Sequence, residues 1–189
     1  FIGQIIVVTH SPNILLNDYK QIIRFYLEAG VTKIISGSQF TLSEQLHKHL
    51  YLHFPFIKEA FFSRCAIFVE GDSEYSSFPL FGKKMSIDFD DLGICVIQAG
   101  GDAIPQLIEL ASKFGIQSVG ITDKDDGSSP PTKLYHYETN HRDFEAELIA
   151  LIDAGMESVL RAILCAYDSQ GIKRIMDTGS LNKRAYNKY

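Results

Sequence analysis

The sequence predicts an α/β fold built on a parallel sheet with flanking helices. Three observations carry that prediction. Cys65–Val69 is a short apolar run of the kind that buried parallel strands require, Ile94–Gln98 reads as the next strand and Gln117–Thr122 as the third. The stretches between them have helical spacing, so strand, helix, strand, helix and strand alternate along the chain. Two of the strands end on acids: Glu70 follows the first, and Asp123 and Asp125 follow the third. In open sheets of this class, ligands bind outside the carboxyl ends of strands.

Taken in order, residues 4–9 (Gln-Ile-Ile-Val-Val-Thr) read as a buried strand, followed by His10-Ser11-Pro12. Residues 20–26 and 31–36 read as a hairpin around Ala29-Gly30. Leu42, Leu46, Leu50 and Phe54 recur at helical spacing over 38–54, and Pro55 is expected to stop that helix. After the Cys65–Val69 strand, a helix is expected from Ser73 to about Met85, with Tyr75, Phe78 and Phe81 on its inner face and Asp72 and Ser73 as caps. Gly100-Gly101-Asp102 reads as a tight turn with Asp102 capping a helix over 103–114, and Gly115 suits the left-handed position that ends it. Ser128-Ser129-Pro130-Pro131 is a loop. Helices are expected over 143–154 and 157–167, and another from about Ser180.

Composition sets outer bounds. The chain has 189 residues, 46% of them hydrophobic, which suits one domain, or one domain and a piece of another. Mean hydropathy is zero and no apolar run approaches the ~18 residues of a membrane helix, so a soluble protein without membrane contact is expected. No secretion signal is expected, and three scattered cysteines without a C-x-x-C pair fit a reducing cytoplasm. Cys65 and Cys95 read as small core residues. The chain opens on Phe1 in a strand-like run, which is expected of a piece cut from a longer protein. A net charge of −5 argues against a generally basic nucleic-acid binder. It leaves room for a local basic stripe, and residues 173–189 hold Lys173, Arg174, Lys183, Arg184 and Lys188 against Asp177.

The acids carry the chemistry. Mg²⁺ takes hard oxygen ligands, and two ions roughly 4 Å apart can stabilise the attacking and leaving oxygens of a phosphodiester displacement. Such a site needs several carboxylates meeting at one point. Glu70 sits at a strand end, and Glu74 lies one helical turn later and can return to the same rim. Asp123 and Asp125 are two apart in extended chain, so both can face one side, while Asp126 faces the other. Each acid also has an ordinary reading: Glu74 as a first-turn acid favoured by the helix dipole, and a lone D-x-D as a motif shared with sugar transferases and phosphatases. A phosphatase of the usual D-x-D type would carry its nucleophile on the first strand, whereas here the first strand ends on glutamate. His49 and His53 are spaced i, i+4 but lack a third zinc ligand nearby.

Phe61-Phe62, then Ala66 through Glu74, then Gly100-Gly101, then Ile121-Thr122-Asp123-Lys124-Asp125 together resemble a Toprim domain. The second acid four residues after the first is similar to the arrangement in the overcoming-lysogenization-defect (OLD) family, which includes the Gabija nuclease subunit. Residues 5–12 (Ile-Ile-Val-Val-Thr-His-Ser-Pro) resemble the last strand and switch histidine of an ABC-type ATPase, which precedes Toprim in OLD proteins. The resemblance implies a Toprim-like sheet with a helical insertion over 63–189, preceded by the C-terminal piece of an ATPase domain over 1–62. It implies a metal-dependent DNA endonuclease using Mg²⁺ or Mn²⁺, with two ions expected. Metal ligands would be Glu70, Glu74, Asp123, Asp125 and, from the helical insertion, Glu145. Glu70, Asp123, Asp125 and Lys183 would be catalytic, Lys183 by offsetting transition-state charge. The implied partner is DNA. A homo-oligomer of the full-length protein and a helicase-like second subunit are further expectations, as is a role in phage defence. The chain has no G-x-x-x-x-G-K-[ST] motif and no Walker B run, so ATP belongs only to the full-length protein and His10 has no nucleotide to contact here. The alternative to an endonuclease is a non-cleaving module that holds DNA or a partner subunit in a larger ATPase complex.

Overall fold

The computed structural model describes residues 3–15, 18–124, 135–153, 155 and 158. Two sheets are present among them. A two-stranded antiparallel hairpin pairs β1 (Ile23–Glu28) with β2 (Val31–Ser36). Its two-residue loop puts both Ala29 (φ 49°) and Gly30 (φ 78°) in left-handed conformation, as the favoured hairpin turn requires. The second sheet has four strands, all parallel, in the order β4 (Ile94–Gln98), β3 (Cys65–Val69), β5 (Gln117–Thr122) and β6 (His136–Glu138).

The connections explain where a site can form. The chain leaves β3 through α2 (Asp72–Lys84) and the short α3 (Phe89–Leu92) to reach β4 on one side. It then crosses back through α4 (Ile104–Lys113) to β5 on the other side of β3. Right-handed crossovers running in opposite directions put α2 and α4 on opposite faces of the sheet. β3 therefore exits toward β4, while β5 has β6 on its far side, and the crevice between the tips of β3 and β5 is a topological switch point.

The core lies on the α4 face. Ile104, Leu107 and Leu110 of α4 are fully buried, as are Leu50 and Phe54 of α1 (Glu44–Ile57). Phe61 and Phe114 meet edge to face at 4.8 Å between ring centroids. The same cluster draws on Tyr19, Leu46 and Ile57 as well as Phe68, Ile97 and Ile116. Gly120 lets α4 approach β5: a Cβ there would stand 2.3 Å from Ile104 Cγ2 and 2.7 Å from Ile108 Cδ1. At the end of α4, Gly115 has φ +65°, and the Ile116 N–H donates to Ala111 O at 2.9 Å, the closure expected of a left-handed glycine cap.

Several expectations are corrected. Residues 4–9 form no strand. Ile5 is 87% exposed and Val8 95%, because no described segment offers them a ladder. The helix over Glu44–Ile57 runs through Pro55 and tightens into a 3-10 turn at Lys58–Phe62, so the proline falls in its last turn and does not stop it. Tyr75 faces outward at 49% exposure, and the buried first-turn residue of α2 is Glu74. Gly71, not Asp72 or Ser73, is the N-cap of α2. Asp102 lies inside a 3-10 turn (Gly101–Ala103), and α4 starts with no side-chain cap. Cys65 and Cys95 are free and half-buried rather than fully inside. The α3 turn and β6 are additions, both too short for periodicity to reveal. The helix over 143–154 is present as α5 (Phe144–Asp153), whereas the helices expected over 157–167 and from Ser180 lie outside the described residues. No described helix is long and apolar enough to cross a membrane.

Candidate metal centre

The tips of β3 and β5 bring Glu70 and Asp123 together. The last paired residues are Val69 and Ile121, so Glu70 leaves its strand opposite Thr122. The Asp123 backbone N–H donates to Glu70 Oε2 at 3.0 Å. Behind Glu70 lies the Gly100-Gly101 turn, with Gly100 at φ +69°. A Cβ on Gly101 would stand 2.8 Å from both Glu70 carboxylate oxygens, so the glycine provides a cradle that alanine would fill.

Glu74 enters from the other face, in the first turn of α2, and is 2% exposed. A Cβ on Gly71 would lie 3.0 Å from Glu74 Oε2, so this carboxylate folds back toward the β3 tip. Burial raises the Glu74 pKa above the ordinary glutamate value, and the charges of Glu145 and Glu70 raise it further against two backbone hydrogen bonds that lower it. Asp123 is pushed up to about 6, chiefly by burial and then by the charges of Glu74 and Glu70, with Glu145 adding less. Glu145 arrives from the first turn of α5, where its Oε1 accepts the Ser73 hydroxyl of α2. Asp123 Oδ1 in turn accepts the Phe144 N–H at 3.0 Å and so anchors the start of α5 beside the rim.

Four of the expected ligands, Glu70, Glu74, Asp123 and Glu145, therefore surround one crevice. Asp125 and Lys183 lie outside the described residues, as does Asp126. The donors are carboxylate oxygens, the chemistry that Mg²⁺ and Mn²⁺ take, and the Gly101 cradle leaves Glu70 room. Their placement is one of linked pairs: among the described residues no three acids, histidines or cysteines stand close enough to hold a single ion. The residues that the sequence reading missed are the ones that orient the acids. Ser73, read as a cap, binds Glu145. Thr139 accepts the Lys124 N–H at 2.9 Å and fixes the chain just beyond Asp123. Glu138 ends β6 level with Thr122 on the same rim, and a three-residue strand leaves no signal in the sequence.

A parallel α/β sheet with glutamate ending one central strand, aspartate ending its neighbour and a Gly-Gly turn against the glutamate defines a Toprim domain. Residues 61–125 match the family model described as "Overcoming lysogenization defect protein-like, TOPRIM domain", so this stretch is similar to the Toprim domains of OLD-like proteins. Toprim is a nucleotidyl-transfer and nuclease type of domain, and Toprim domains generally bind divalent metal ions. Among solved structures, the chain is similar to the C-terminal region of the Burkholderia pseudomallei OLD protein, at 22% identity and a TM-score of 0.42, over 67% of this chain and 80% of that one. It is also similar to the C-terminal region of the Xanthomonas campestris pv. campestris OLD protein, at 23% identity and a TM-score of 0.43, over 69% of this chain and 77% of that one. No curated protein matches the sequence.

Proposed function

We propose that this chain is the nuclease part of an OLD-type ATPase-nuclease, a DNA endonuclease that hydrolyses phosphodiesters with two Mg²⁺ or Mn²⁺ ions. The observation that carries the reading is the Glu70–Asp123 contact at the switch point, with Glu74 and Glu145 near enough to raise the Asp123 pKa. When bound, the ions supply Lewis acidity and make water a usable nucleophile at neutral pH. Glu70, Glu74 and Asp123 would hold them, with Asp125 and Glu145 completing the set. The Asp123 N–H fixes the orientation of the Glu70 carboxylate, and the Ser73 hydroxyl fixes that of Glu145. Lys183 would offset the charge that develops on the phosphate. In the same reading, residues 1–62 are the tail of an ATPase domain that hydrolyses nothing in this piece, and the whole protein works in the cytoplasm in phage defence, as a homo-oligomer with a helicase-like partner.

Incubation with supercoiled plasmid and Mn²⁺ tests the reading. Wild type is expected to nick or cut, and Glu70→Ala to do neither. Equal products from both, or none from either, would remove it. The absence of three converging donors among the described residues favours a second reading, a non-cleaving module that holds DNA or a subunit. Cleavage that needs metal and disappears in Asp123→Ala would eliminate that alternative.

A further inference from the structure

Arg24 lies on β1, far in sequence from the acids, yet it is only 8% exposed. Its guanidinium spends its donors on four backbone carbonyls. Nε donates to Phe61 O at 3.0 Å and Nη2 to Ser63 O at 2.9 Å. Nη1 donates to Phe114 O and Gly115 O, both at 3.0 Å. The first pair of carbonyls lies just before β3 begins at Cys65, and the second just before β5 begins at Gln117. Cys65 and Gln117 are themselves partners in the sheet. One planar fork thus ties the bases of the two strands whose tips carry Glu70 and Asp123.

The chemistry favours arginine here. Phe114 O and Gly115 O are carbonyls at the C-terminal end of α4, where a cation complements the helix dipole. Five donors in a fixed plane can serve carbonyls on two segments at once, whereas a lysine ammonium offers three around a point. The Arg24 guanidinium also lies 4.6 Å from the Tyr26 ring centroid, which holds it against its own strand. A five-residue strand at about 3.3 Å per residue is short and stiff, so a shift at its base reaches its tip.

We infer that Arg24 is a positioning residue for the acid pair: it sets the placement of β3 against β5, and through it the seating of the β1–β2 hairpin governs the Glu70–Asp123 contact. The inference rests on reading that contact as the site, but not on what the site binds. Amide hydrogen exchange by NMR in EDTA, on the whole chain, tests it without metal or activity. Arg24→Gln and Arg24→Lys are compared with Leu46→Ala, a core truncation in α1 that removes no hydrogen bond to either strand base, at temperatures chosen for equal stability. Exchange of the Asp123 N–H, the donor to Glu70, is expected to be at least tenfold faster in both Arg24 variants than in Leu46→Ala, with Lys the milder. Mn²⁺ affinity by calorimetry is expected to fall severalfold in the same order. Asp123 exchange equal to that of the Leu46→Ala control would overturn the inference. Should Arg24→Gln fail to fold, Arg24→Lys decides alone. Should wild type bind no Mn²⁺, the nuclease reading fails and the exchange comparison still decides this one.

Discussion

Gly101→Ala separates function from stability at the candidate site. The new Cβ would meet both Glu70 oxygens at 2.8 Å, whereas ordinary contact begins at about 3.4 Å. The carboxylate must therefore retreat by about 0.6 Å, the difference of those two distances. Its bond from the Asp123 N–H is 3.0 Å long, and a lengthening of only ~0.2 Å reaches the ~3.2 Å limit of a good hydrogen bond. A functional constellation tolerates only about 0.5 Å of such error. Losing one hydrogen bond to a charged group costs roughly 1.5–3 kcal/mol. Gly101 is not in the left-handed region, so alanine returns roughly 0.4–1 kcal/mol by restricting the unfolded chain. The expected result is a melting temperature within a few degrees of wild type, with Mn²⁺ affinity down by about tenfold, the equivalent of about 1.4 kcal/mol. Calorimetric titration beside a thermal melt measures both. Mn²⁺ affinity within twofold of wild type would refute the claim that the glycine cradle places Glu70.

Gly120→Ala should do the reverse of a subtle change: its Cβ would collide with Ile104 and Ile108, and overpacking of this kind costs roughly 1–3 kcal/mol, read as a lower urea midpoint at unchanged slope. Asp123→Ala and Glu145→Ala should be non-additive in stability, with a coupling of roughly 0.5–3 kcal/mol in a double-mutant cycle, because Asp123 anchors the helix turn that carries Glu145. The Cys95 thiol is pushed up to about 11, chiefly by burial and against the hydrogen bond from Ser63, so the folded state prefers the neutral thiol. That preference contributes stability fully present below the ordinary thiol value and lost as pH rises through about 11. Iodoacetamide should accordingly label Cys95 roughly a hundredfold more slowly at pH 8 than an ordinary thiol, accelerating about tenfold per pH unit, as followed by peptide mass spectrometry.

Three of the four parallel strands were legible, Cys65–Val69 and Ile94–Gln98 as largely apolar runs and Gln117–Thr122 from Val119-Gly120-Ile121-Thr122 leading into Asp123, and the observed bounds coincide with those readings. Alpha4 was legible from its spacing and from Gly115. Residues 4–9 misled for a related reason: an apolar run signals a wish for burial, but a strand exists only where a neighbour supplies hydrogen bonds, and that neighbour is not encoded locally. At the site, Glu70, Glu74 and Asp123 could be placed by strand ends and helical turns. Arg24, Ser73 and Gly101 could not, since their roles depend on contacts across 37 to 91 residues for Arg24 and 72 for Ser73, and on the one space a missing Cβ leaves open for Gly101.

Whether Asp123 is a helix anchor or a ligand is decided by its neighbours rather than by its own bond to Phe144. An anchor needs one carboxylate beside free N–H groups, and Asp143 serves α5 in that way by accepting the Ala146 N–H at 2.8 Å. Nothing about starting a helix calls for Glu70, Glu74 and Glu145 to be brought into the same crevice, one of them 2% exposed. Burial disfavours the charged form, and like charges at short range compound the cost, which is why both Glu74 and Asp123 hold their protons more tightly than ordinary carboxylates do. A chain that accepts that cost at a topological switch point, with a glycine and a hydroxyl orienting the acids, has an arrangement that a bound cation would make more favourable. On that argument the hydrogen bonds to Asp123 and Glu70 are the positioning apparatus of the site, and removing the acids' charge should raise the stability of the metal-free protein while abolishing its response to Mn²⁺.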